Sequence, residues 1–261
     1  MGLPCLNSFY YSDIFIHEVS MKSANLSVLA CAILLCSSAQ ATAPSDYDEV
    51  CRCVDPYDGV RQIPVTIRDF TSAHPDFEGE IGSERGIVES QLGFDGRPVY
   101  AKQGQYSRTT SGRDNFNQWY RNVPGVNTAL TKQLEMIEIS PQLWEYSNAS
   151  FFPINDEGFG NQGNQHNYHF TLETHLRFFY EAGGSFSFRG DDDLWIFING
   201  KLAVDLGGVH SVEEQVVYLD DIAEELDIEP GNSYSFDLFF AERHLVESNF
   251  HFQTTFELQC L

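Results

Sequence analysis

Apolar residues in this chain recur mostly at every second position. Tyr234, Phe236, Leu238 and Phe240 share one face of an extended segment, and Phe250, Phe252, Phe256 and Leu258 share another. Period-two alternation lines up side chains on one side of a pleated strand. Two long strands are therefore expected, with the polar residues 242–249 as the loop of a hairpin between them. Tyr168, Phe170 and Leu172 alternate in the same way into a strand ending at Tyr180, and Phe186 and Phe188 alternate after the Gly183-Gly184 turn. Residues 194–198 (LWIFI) break the rule, because five consecutive apolar residues bounded by turn signals predict a strand buried on both faces. Asn199-Gly200 follows, the pair best suited to a two-residue hairpin in which both central residues need positive φ. Residues 202–206 return as the partner strand, ended by Gly207-Gly208.

Elsewhere the signals are shorter. Residues 63–70 (IPVTIRDF) predict a first strand, broken by His74-Pro75, and the glycine-rich residues 77–106 read as loop. Asp114 followed by Phe116, Trp119 and Tyr120 predicts a short helix capped by the aspartate and finished before Pro124-Gly125. Residues 134–139 and 143–146 are strand candidates on either side of Pro141. Residues 158–167 form a loop rich in Gly, Asn and Gln, and residues 216–219 predict another strand. About nine strands, no sustained helical periodicity and no repeat describe one all-β domain. An antiparallel β-sandwich with one short helix fits first and a β-barrel second.

Composition narrows the function. Among 261 residues there are 21 Phe and 12 Tyr, which suits a β-rich core and excludes acidic disorder. A formal charge of −23 makes nucleic acid and anionic membrane surfaces poor partners. Met21-Lys22, an apolar stretch over residues 26–36 and Ala41-Thr42-Ala43 have the order of a secretory signal, too short to span a bilayer. Residues 1–20 are then an upstream extension, 21–43 the signal, 44–61 a polar lead-in and 62–261 the domain. The expected location is extracellular, with no membrane insertion once the signal is removed. Export permits disulfides. One of Cys51 and Cys53 is expected to pair with Cys260, leaving an odd thiol for a cross-linked partner. Asn148-Ala149-Ser150 is a glycosylation acceptor in that setting.

The candidate chemistry lies at Asp191, Asp192 and Asp193, in a turn just ahead of the apolar strand. Three carboxylates at one point repel one another unless water or a cation relieves them. Calcium, with about six to eight oxygen ligands, is the hard cation suited to the task; a solvated acidic turn is the plain alternative. Asp205 reads either as a strand-end carboxylate bonding loop amides or as an outer ligand. His210, after the Gly-Gly pair, is placed to reach the Asp turn, and His244 lies in a loop. His169 and His175 share a strand face but stand too far apart for one metal. Catalysis is not expected: adjacent aspartates on one turn are closer than the separations of about 5 to 9 Å that glycoside hydrolysis uses.

VTIRDF and HPDFE (65–78), DNFNQWYRNVPGVN (114–127), NASFFPI (148–154), GFGN (158–161), HNYHFTLETH (166–175), GDDDLWIFINGKLAVDLGGVH (190–210), FFAERH (239–244) and SNF (248–250) together resemble the fibro-slime domain, a branch of the protective-antigen-type β-sandwich. The resemblance covers nearly the whole mature chain. In the wider superfamily, flocculin-like adhesins hold calcium with two adjacent aspartates joined by a cis peptide, and the calcium ligates sugar hydroxyls. Counted back from Gly200, the matching positions are Asp191 and Asp192, with Asp193 standing where many relatives have glycine. The resemblance adds ligands from residues 242–249, with Glu242 and Asn249 as oxygen donors. It implies a secreted, calcium-dependent carbohydrate-binding module of matrix or cell surface, with glycans or polysaccharide as partners. A structural cell-coat module acting through protein contacts is the alternative.

Overall fold

The computed structural model describes residues 59–260. In chain order the elements are β1 (Val60–Asp69), β2 (Gly82–Ser83), α1 (Arg113–Phe116), β3 (Thr128–Ser140), β4 (Leu143–Asn148), β5 (Phe170–Phe179), β6 (Ser185–Gly190), β7 (Asp193–Ile198), β8 (Lys201–Leu206), β9 (Gly208–Val209), β10 (Glu213–Tyr218), α2 (Leu219–Leu226), β11 (Ser233–Glu242), β12 (Phe250–Thr254) and β13 (Leu258–Cys260). One sheet runs β10-β6-β12-β4-β3-β1-β5-β11-β7-β8, with β13 beside β5. β2 and β9 pair separately, and the paired strands are antiparallel. The expected signal segment, residues 1–20 and Cys51 and Cys53 with their bridge to Cys260 lie outside the described residues. Among those described, no helix is long and apolar enough to cross a membrane.

The sheet curls into two layers that meet through phenylalanine. Phe236 of β11 lies 5.5 Å from Phe186 and 5.6 Å from Phe252, and Phe240 lies 5.3 Å from Phe250, measured between ring centroids. Offset and edge-on rings at such distances add about 0.5–1.5 kcal/mol per pair beyond the area they bury. The all-β sandwich expected from the alternation is therefore present, with its layers continuous through β3 and β1.

The expected hairpin between the last long strands is not formed. β11 lies between β5 and β7, whereas β12 lies between β4 and β6 in the opposite layer. Alternation reports which face is buried, not which strand is the neighbour, and residues 243–249 carry the chain from one layer to the other. The central hairpin does form: Ile198 pairs with Lys201 across Asn199 (φ 52°) and Gly200 (φ 72°).

β7 is buried along its whole length. Its inner side chains join the phenylalanine core. Its outer Trp195 and Phe197, with Phe239 and Ala241 of β11, pack under Ile87, Val88, Tyr100, Phe116, Trp119 and Tyr120. The glycine-rich stretch expected as loop thus closes a second core over the outer face. α1 is a single turn beginning after Gly112, so Asp114 sits inside it instead of capping it. α2 was not expected: two turns, with Leu219, Ile222, Ala223 and Leu226 at helical spacing, begin where a strand was predicted to finish.

Candidate functional site

Two interlayer crossings run side by side at one end of the sandwich. Gly190 of β6 faces Phe250, the first residue of β12, and Asp193 of β7 faces Ala241 near the end of β11. Asp191 and Asp192 therefore bridge the layers next to residues 243–249, which make the same crossing. The approach is tight enough that a Cβ at position 190 would sit 2.6 Å from the Asn249 carbonyl oxygen and 2.7 Å from the Phe188 ring, so only glycine fits. Asp192 turns the corner with φ 56°. The cis peptide implied by the resemblance is absent, since no described peptide bond is cis.

The four acidic side chains are buried and differ in what they touch. Both oxygens of Asp191 are occupied, Oδ1 accepting from the Asn249 backbone N–H (2.6 Å) and Oδ2 from the Asn249 side-chain amide (2.8 Å). Asp192 Oδ2 accepts from the backbone N–H of Arg243 at 2.8 Å. Asp193 turns toward the outer core, where Oδ2 accepts from Arg243 Nε (2.6 Å) and Oδ1 from Gly208 N–H (2.7 Å). With both oxygens spent and no exposed surface, Asp193 is the counter-ion of Arg243, which sets it apart from the ligand role expected of it. Glu242 is fully buried, and neither of its carboxylate oxygens has a hydrogen-bond partner.

Electrostatics sharpens the contrast. Burial pushes the Glu242 carboxyl well above the usual carboxylate range and the charges of Asp192 and Asp191 push it further; the Ser248 hydroxyl and the His244 N–H nearby oppose the rise, though neither makes a well-formed hydrogen bond to it. Asp192 is raised too, chiefly by burial; Arg243 opposes the rise while Asp193 and Asp191 add to it. Unpaired buried carboxylates are costly, and one arginine already committed to Asp193 cannot neutralise the group. A positive charge would offset that cost. Glu242 and one oxygen of Asp192 are the carboxylate donors left without a hydrogen bond here, while Asn249 is engaged by Asp191. Among the described residues no three Asp, Glu, His or Cys side chains are grouped so as to hold a metal ion by themselves. A cation here would therefore complete its shell with backbone oxygens and water, as calcium commonly does.

The other expected residues are scattered. Asp205 accepts from Trp195 Nε1 (2.9 Å) and from Gly86 N–H (2.7 Å), the loop-amide role. His210 reaches Asp192 through its backbone carbonyl, at 3.4 Å, while its ring nitrogens meet the carbonyls of Ser211 and Leu206. His244 lies 3.7 Å from Glu78, whose other oxygen meets His169 Nε2 at 2.8 Å. His175 is separate, between Asp237 (2.7 Å) and Glu173 (3.6 Å). Asn148 ends β4 half-buried, its Oδ1 accepting from Ser150 N–H.

Sequence reasoning missed Arg243. Its guanidinium also donates to the carbonyls of Asp76 (3.0 Å) and Thr109 (2.6 Å) and lies 4.7 Å from the Trp119 ring. It locks the acidic crossing to the outer core. The only available signal was the charged pair Glu242-Arg243 directly after the apolar run FFA. Also missed was the open cleft of about 500 Å³ above the turn, where Asp191, Asp192 and His210 meet Ile81, Leu245 and Val246.

No known protein-family model matches the chain. It is similar to protein psiR of Dictyostelium discoideum, 40% identical over 206 residues, covering 72% of this chain and 20% of that protein. It is also similar to psiJ (38% over 226 residues; 76% and 31%) and psiD (35% over 215 residues; 76% and 42%) of the same organism. The chain thus spans between about a fifth and two fifths of the length of these relatives. Among solved structures it is similar to an epithelial adhesin A domain of Candida glabrata in complex with beta-lactose, at 12% identity and TM-score 0.30, covering 77% of this chain and 84% of that one. It is also similar to a PA14 sugar-binding domain from an RTX adhesin, at 9% identity and TM-score 0.26, covering 45% and 75%. Sugar binding and the bound lactose are properties of those proteins. Homology to the psi proteins is what the sequence comparison establishes, and the fibro-slime resemblance rests on the motifs quoted above.

Proposed function

We propose that this domain is a secreted, calcium-dependent carbohydrate-binding module of adhesin type. The observation that carries the reading is Glu242, fully buried with neither carboxylate oxygen hydrogen-bonded, next to Asp191 and Asp192, which line an open cleft. A carboxylate kept there without a counter-charge is a cost that a bound cation removes. Calcium, when bound, offers coordination positions to neighbouring sugar hydroxyls.

The chain's own residues do the rest. Asn249 clamps Asp191 with two hydrogen bonds, and the Arg243 N–H orients Asp192. Gly190 and the positive φ of Asp192 hold the turn against the crossing segment. Ile81, Leu245 and Val246, all exposed, give the cleft apolar walls suited to the C–H faces of a sugar. The reading assigns binding and no catalysis, since Asp191 and Asp192 are adjacent and the neighbouring Glu242 is sealed from solvent.

A glycan array probed with the intact domain tests this. Specific binding in calcium that disappears in chelator is expected. Absence of binding in both conditions would favour the cell-coat module acting through protein contacts.

A further inference from the structure

A second cleft, of about 350 Å³, adjoins the first across the same crossing segment. Val246 and Glu247 line both clefts, and Asn249, which clamps Asp191, lines the second. Its wall is aromatic. Phe152 and His166 stack face to face, 4.0 Å between centroids and 2° from parallel, and Tyr168 meets Phe152 edge-on at 4.9 Å. Asn155 Nδ2 and His166 Nδ1, 2.9 Å apart, fix the imidazole. All three rings are half-exposed and belong to neither core cluster, so packing does not account for them. Ser150, Gln165 and Glu247 supply polar groups at the rim.

Flat rings beside a few polar groups are what a pyranose needs. Its C–H face packs on the ring while its hydroxyls bond the rim. We propose that this cleft is a second sugar subsite, so that the domain takes an oligosaccharide lying across residues 245–247, with one residue over the acidic cleft and a later one against His166 and Tyr168. The inference rests on the carbohydrate reading above and adds an extended ligand to it.

The test uses isothermal titration of the intact domain, in calcium, with matched mono- and tetrasaccharides of galactose, glucose, mannose and N-acetylglucosamine series. For the series that binds, the tetrasaccharide should bind roughly tenfold tighter than the monosaccharide, the size of one good aromatic contact. Tyr168→Ala and His166→Ala should erase that gain while leaving monosaccharide affinity and melting temperature unchanged, and Tyr168→Phe should retain it. A wild-type domain with no length dependence, or variants that keep it in full, would overturn the second subsite alone. No binding to any series would overturn the carbohydrate reading and the subsite together.

Discussion

Replacing Glu242 by glutamine exchanges a buried, unpartnered carboxylate for an uncharged amide of nearly the same shape. In the cation-free protein at pH 8 the wild-type side chain is either ionised against Asp192 and Asp191 or held protonated against the solution pH, and each state costs stability. An unsatisfied buried polar group costs about 1–3 kcal/mol, and more when charged. The amide stays unpartnered and sheds only the extra cost of charge, so Glu242→Gln should stabilise the protein in chelator by about 1 kcal/mol, or roughly 2–4 °C for a domain of this size. In excess calcium the sign should reverse. The wild type gains about 2.7 kcal/mol at a hundredfold excess over Kd, and a variant lacking the ligand forfeits much of it. Differential scanning fluorimetry of both proteins, in calcium and in chelator, reads the two shifts directly. A variant that melts lower than wild type by the same amount in both buffers would refute the reasoning, since Glu242 would then be a packing residue with a hidden partner.

Two further outcomes follow from the buried charges. Arg243→Ala strands Asp193 without its counter-ion and frees two carbonyls, so urea unfolding should report a loss of about 3–5 kcal/mol; a loss below about 1 kcal/mol would show that the pair is not a buried one. His175 is lowered by burial, but its bonds to Asp237 and Glu173 outweigh this and raise it to about 9. A histidine raised from about 6.5 in the unfolded chain adds stability that is complete below that pH and lost as pH climbs through about 9. With a third of the side chain exposed, screening leaves about 1–2 kcal/mol of the nominal shift. Wild-type stability should fall across that window, and His175→Gln should flatten the fall.

Much of the fold was legible because burial leaves a periodic trace. The LWIFI run announced a strand covered on both sides, and Asn199-Gly200 announced its turn. What covered the outer side was not legible, because Ile87, Val88, Tyr100, Trp119 and Tyr120 come from irregular segments that carry no period. Strand partnership was misread for the same reason. Phe240 and Phe250 look like hairpin neighbours along the chain yet meet across the core from opposite layers. At the site, residue type located the acidic crossing, whereas only the folded arrangement divides the carboxylates by role. Asp193 and Asp192 are adjacent and chemically identical, but Asp193, the first residue of β7, meets the Arg243 guanidinium, whereas Asp192, just ahead of the strand, meets only the Arg243 backbone N–H and lines the cleft.

The central claim is that the acidic crossing holds calcium, and the melting temperature of the wild-type domain against that of Asp192→Ala tests it most directly. Addition of millimolar calcium should raise the wild-type midpoint by about 5–10 °C at a hundredfold excess over Kd, chelator should reverse the rise, and Asp192→Ala should melt cooperatively with no response to either. A wild-type midpoint indifferent to both calcium and chelator would contradict the account.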